Sequence, residues 1–148
     1  MPQRILQTVK KVGYQTGLGL LLLASSAYAG DILVQVEQWQ EGAPLFLALA
    51  PGESQRWPQL PLQQRLSHDG QARFSELPAG RYAIQLFQDL NGNGQLDHSP
   101  RGIPLEPVGF SGNPPLLNGK PKPEQASFVH GEGDTRLTIR LQSPKAKR

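Results

Sequence analysis

Beyond Gly30 the apolar residues recur at every second position, in runs cut short by glycine and proline. Period two is the spacing of a strand with one buried face. Ile32, Val34 and Val36 alternate with Leu33, Gln35 and Glu37, and Tyr82, Ile84 and Leu86 with Arg81, Ala83 and Gln85. Leu137, Ile139 and Leu141 alternate in the same way with Arg136, Thr138 and Arg140. Residues 44–50 (PLFLALA) are apolar on both faces and read as a more buried strand, and residues 71–77 and 127–130 as shorter ones. Leu77-Pro78-Ala79-Gly80 reads as a tight turn, with Pro presetting φ and Gly accepting a positive one. With 16 glycines and 14 prolines no long helical window survives beyond Gly30. The pattern predicts an all-β chain: a single β-sandwich of immunoglobulin-like or transthyretin-like type, with six to seven strands.

The first 29 residues read differently. Arg4, Lys10 and Lys11 precede a short apolar run, GLGLLLLA, and Ala27-Tyr28-Ala29 supplies small residues for a cut before Gly30. That order is a secretory signal peptide, and its run is too short to span a bilayer. The expected organisation is a leader over 1–29 and one domain over 30–148, with a basic tail from 142 onward. Export to the periplasm is expected, with the extracellular medium as the alternative, and no membrane span after cleavage. The chain holds no cysteine, so neither disulfides nor a lipid-modified cysteine enter the argument. Of 15 basic and 12 acidic residues the leader takes three basic ones, leaving the rest balanced. A balanced domain gives no footprint for nucleic acid.

One stretch departs from the plain β pattern. Residues 89–125 are rich in turn formers and far longer than the loops of about 12–15 residues that a compact domain ordinarily tolerates without function or order of their own. They open with D-x-N-x-N-G-x-x-D, in which Asp89, Asn91 and Asn93 hold positions one, three and five. Gly94 is sixth, the Gln95 carbonyl seventh and Asp97 ninth. Calcium takes six to eight oxygens, and this spacing wraps such an ion. Pro100 stands where a calcium hand has its bidentate Glu, so the charged donors are few. Glu106, fixed in extended backbone between Pro104-Leu105 and Pro107, is a possible additional ligand or an acceptor for backbone N–H groups. The competing reading is a run of Asx-turns with no ion. Both are open at this point.

The residues Leu77-Pro78-Ala79-Gly80-Arg81-Tyr82-Ala83 come first, followed by Asp89, Asn91, Gly92, Asn93, Gly94, Leu96 and Asp97. Gly102-Ile103-Pro104, Glu106 and Gly109-Phe110-Ser111 come next, then Glu124-Gln125-Ala126-Ser127-Phe128. In that order they resemble a small exported bacterial family, domain of unknown function 2141 (DUF2141). The resemblance covers nearly all of the chain after the leader. It implies the same β fold and export, and it implies no activity. Gln88 stands where that family often has a histidine.

Catalysis finds little support in the residues. His68 reads as a turn, His98 adjoins Asp97 without a third partner in sequence, and His130 has no second ligand at metal spacing. The function expected is therefore a non-enzymatic binding or interaction module for an envelope protein, peptide or glycan, with calcium as its one candidate ion. The alternatives are a small hydrolase-like enzyme using Asp97, Glu106 and His98, and a structural accessory domain of an envelope assembly.

Overall fold

The computed structural model describes residues 29–117 and 119–143. The expected leader lies outside the described residues except for Ala29, as do residues 144–148 of the expected tail. Eight strands follow one another: β1 (Ala29–Glu37), β2 (Leu45–Pro51), β3 (Gln63–Ser67), β4 (Gln71–Pro78), β5 (Gly80–Gln88), β6 (Val108–Phe110), β7 (Ser127–His130) and β8 (Thr135–Arg140). One turn of 3-10 helix, Pro123–Ala126, leads into β7. The strands build a three-stranded sheet, β4-β1-β8, and a five-stranded sheet, β3-β2-β5-β6, with β7 on β5 beside β6. The chain is the all-β sandwich that the alternation predicts. Among the described residues it has eight strands rather than six or seven, because β3 and β6 also pair. Among the described residues no helix is long and apolar enough to cross a membrane.

The inward positions are those of the sequence pattern. Ile32, Val34 and Val36, the three leucines of β2 (Leu45, Leu47, Leu49), Phe74, Tyr82, Ile84, Leu86 and Ile139 form one buried cluster. Each such aliphatic side chain contributes roughly 1.5–3 kcal/mol when fully removed from water. In the small sheet β1 is central, antiparallel to β4 and parallel to β8. The β1–β4 ladder slips by one residue near Asp31, where Glu76 takes φ 57° and donates its N–H to the Asp31 carboxylate at 3.0 Å. Gly80 is not among the residues of positive φ, so the positive φ expected at Gly80 in the Leu77–Gly80 turn is not adopted; the left-handed residue nearby is Glu76, at the bulge within β4.

Carboxamide side chains finish the small sheet on both sides. On β4, Gln63 donates to Ser75 C=O at 2.8 Å and accepts the Ser75 N–H at 3.3 Å, while Arg65 donates to Arg73 C=O at 2.7 Å. On β8, Asn113 donates to Thr138 C=O at 3.1 Å and accepts the Arg140 N–H at 2.8 Å. Beyond β8, Gln142 exchanges two backbone hydrogen bonds with Val108 of β6 and joins the sheets. Gln142 therefore belongs to the folded domain rather than to the tail.

The opposite edge of β5 is shared by β7 and β6, and Ser111 fills the junction between them. Its N–H donates to Ile84 C=O at 2.9 Å and its hydroxyl accepts the Ile84 N–H at 2.8 Å while donating to Ala126 C=O. Ser111 is fully buried. Ser111→Ala is expected to cost about 1–3 kcal/mol, the penalty for leaving a buried N–H and C=O unpaired. The shift of the urea midpoint at unchanged m checks it.

Candidate functional site

The long stretch after β5 is not one irregular loop. It is divided by β6 and the 3-10 turn, and it folds over the outer face of the larger sheet around a second apolar cluster. Ala83, Val108, Phe110 and Ala126 are buried there, with Trp57, Phe87, Leu96 and Leu116 packed against them. Trp57 acts as a packing anchor: its ring lies 5.9 Å from Phe110 and its indole N–H donates to Pro121 C=O at 2.8 Å.

The segment between β5 and β6 is pinned at both ends. Gln88 N–H donates to Pro107 C=O at 3.0 Å and Asp89 N–H to Pro44 C=O at 2.9 Å. Gln88 is buried, and its carboxamide holds the β1–β2 loop by accepting from Gln40 N–H and donating to Gln40 and Ala43 C=O.

Within the segment a ladder of side-chain acceptors organises residues 89–97. Asp89 is 2% exposed; its Oδ1 accepts the Gly92 N–H at 3.0 Å and its Oδ2 the Gly94 N–H at 2.8 Å. Asn91 Oδ1 accepts the Asn93 N–H at 3.3 Å and Asn93 Oδ1 the Gln95 N–H at 3.0 Å. Both asparagine amides donate to the Asp97 carboxylate. Gly92 and Gly94 take φ of 76° and 75°, the conformation for which glycine is needed here. Residues 97–105 continue as a small hairpin: Leu105 N–H donates to Asp97 C=O, and Ser99 N–H to Ile103 C=O, both at 2.8 Å. The Ser99 hydroxyl caps this turn by accepting from Arg101 and Ile103 N–H.

Glu106 closes the unit. It is buried, with Oε1 accepting the Leu90 N–H at 2.9 Å and Oε2 the Asp97 N–H at 3.3 Å. One carboxylate thereby ties the start, the middle and the end of the segment together. Among the described residues no three His, Asp or Glu side chains gather as a metal cluster.

The candidate catalytic set does not form a relay. Glu106 and Asp97 are neighbours, but both are occupied as above, and among the described residues no hydrogen bond joins His98 to either. His98 is exposed and its backbone bridges Pro104. His68 is exposed in the β3–β4 turn. His130 is buried, with Nδ1 2.7 Å from the Thr135 hydroxyl and Nε2 3.0 Å from Leu77 C=O, so both ring nitrogens are spent on structure.

Leu90 and Leu105, which the sequence reading passed over, and Ile103, which it quoted only within the family resemblance, stand out on this unit. Leu90, Ile103 and Leu105 are 44%, 40% and 62% exposed on a segment whose backbone is tied throughout. Their signal in the sequence is faint: single apolar residues among turn formers. Elsewhere the surface offers shallow hollows open to solvent. One runs over the outer face of the small sheet, where Leu33 lies between Arg73 and Arg136. Another lies beside Gly52, Glu53, Arg81 and Glu124.

The family described as "Uncharacterized protein conserved in bacteria (DUF2141)" matches the chain over residues 30–138. No curated protein matches it.

Proposed function

The chain belongs to the bacterial family DUF2141, and from that footing we propose that it is an exported, non-enzymatic binding module of the cell envelope, at work in the periplasm. Its partner is met through the braced segment after β5. The observation that carries this reading is the exposure of Leu90, Ile103 and Leu105 on a backbone held by Asp89, Glu106 and Ser99. Function on a β scaffold concentrates in positioned loops, and apolar side chains kept in water by such a loop offer contact area. Open hollows favour a macromolecular partner, an envelope protein, peptide or glycan, over a small molecule that needs an enclosed site. The signal-like leader supports the address. Capture from envelope extract tests the reading. Wild-type protein is expected to retain a reproducible partner that Leu90→Ser with Leu105→Ser releases, and retention by the double variant would count against it.

Calcium has a place in the same unit as a structural ion. The turns within residues 89–97 bring the oxygens of Asp89, Asn91, Asn93 and Asp97 and the Gln95 carbonyl to one small loop, and an oxygen that accepts one N–H keeps a second lone pair. Glu106, with a backbone N–H on each oxygen, is a brace first and a sixth ligand for the ion only through its other lone pairs. With Asp89 and Asp97 as the charged donors, affinity falls in the weak range of about 10⁻⁴–10⁻³ M. At a hundredfold excess over Kd the ion adds about 2.7 kcal/mol. The expected result is a Tm above that in EDTA, abolished by Asp97→Ala. An unchanged Tm at saturating calcium leaves the Asx ladder alone as the organiser.

A further inference from the structure

Asn91-Gly92 and Asn93-Gly94 are two consecutive Asn-Gly steps. Asn-Gly is the dipeptide most prone to cyclise, because glycine has no side chain to shield its nitrogen. The glycine N–H loses its proton and the nitrogen attacks Cγ of the asparagine. A C–N bond forms, and the side-chain amide leaves as ammonia. Water then opens the resulting succinimide, giving aspartate or isoaspartate according to which imide bond breaks. Both steps here lie in exposed backbone, and a Cβ added at either glycine would meet nothing within 4 Å. Crowding therefore gives them no protection.

Hydrogen bonding does. We propose that Asn91 and Asn93 are latent deamidation sites held closed by the Asp89 carboxylate. Its two oxygens accept the very N–H groups whose nitrogens would attack: Gly92 at 3.0 Å and Gly94 at 2.8 Å. Removing either proton would set an amide anion against a carboxylate oxygen, and two like charges so close in a partly dry site repel strongly. The electrophiles are tied as well. Each asparagine carboxamide is held at its oxygen by the backbone N–H two residues on and at its nitrogen by Asp97. Cyclisation then needs local opening of residues 89–97. Each opening event that leads to reaction leaves a permanent negative charge, with a backbone kink as well where the product is isoaspartate, and the segment records its own exposure. The inference does not depend on calcium or on a partner.

Incubation in EDTA and mildly alkaline buffer, followed by peptide mapping by mass spectrometry, tests it. Conversion is read as replacement of NH₂ by OH at residues 91 and 93, in the folded protein and in the same protein unfolded in urea. Conversion of the folded protein is expected to be slower by about tenfold or more, as for a reaction that waits on local opening. Asp89→Asn keeps the shape and turns one acceptor into a donor, and the folded variant is expected to lose most of that protection. Equal rates in folded and unfolded wild type would overturn the proposal, as would an Asp89→Asn variant that is folded and still protected. Should that variant not fold, amide hydrogen exchange in the wild type decides. Slow exchange at Gly92 and Gly94 is expected, and exchange at the rate of free amides refutes it.

Discussion

Ile84→Ala loses about 2–5 kcal/mol in denaturant melts, the range for removing a fully buried aliphatic side chain whose site collapses poorly. Two features place this position toward the costly end. Ile84 has no exposed surface and packs in the main cluster with residues of both sheets. Its backbone lies opposite Leu49 of β2 in the ladder, and both its N–H and its C=O are held by Ser111 across the β6–β7 junction, so β5 has little freedom to move into the space. Val129→Ala on the neighbouring strand is the control: Val129 is 71% exposed and its change stays within about 0.5 kcal/mol. A loss at Ile84 no larger than the control's would mean that the inward face of β5 is assigned the wrong way round.

Asp89→Ala is the second large effect, with an expected loss of about 3 kcal/mol. The carboxylate accepts two backbone N–H groups, and a hydrogen bond to a charged group contributes about 1.5–3 kcal/mol. Part of that sum returns because the freed amides lie at an exposed loop and meet water, whereas Asp89 itself is buried. The effect should be local. Urea melts followed through the core shift in midpoint, while hydrogen exchange at residues 90–97 rises well beyond that shift. Asn91→Ala removes two exposed contacts, the acceptor for the Asn93 N–H and the donor to Asp97, and is expected to cost about 1 kcal/mol. Equal losses for the two substitutions would show that the loop hangs on its rim rather than on its buried end.

The strands that alternate in sequence are those whose inward residues are apolar. Ile32, Val34 and Val36, or Tyr82, Ile84 and Leu86, carry their facing in plain view. β3 carries none, because Gln63 and Arg65 reach out to the backbone of β4 and only Ser67 is buried. β6 is hidden for another reason. It is three residues long around Gly109, where a Cβ would come within 2.9 Å of Ile139 Cγ2, so its signature is a missing side chain. The loop was legible as a list of oxygens. The partner of each oxygen was not, since Glu106 meets Leu90 and Asp97 only after the hairpin at residues 97–105 has brought the chain back. Glu106 between its prolines announced a fixed backbone; what it fixes is a property of the fold.

The carboxamides of Gln63 and Asn113 do more than tidy the small sheet. A primary amide has the same donor and acceptor as a peptide group, and each of these two sits where the next strand of a growing sheet would present one. They act as chain terminators: the ladder ends on a group that satisfies it and cannot be extended from. Homotypic growth of this sheet into fibres, the standing hazard of an open β-sheet edge, is thereby opposed at both flanks, by Gln63 together with Arg65 on β4 and by Asn113 on β8.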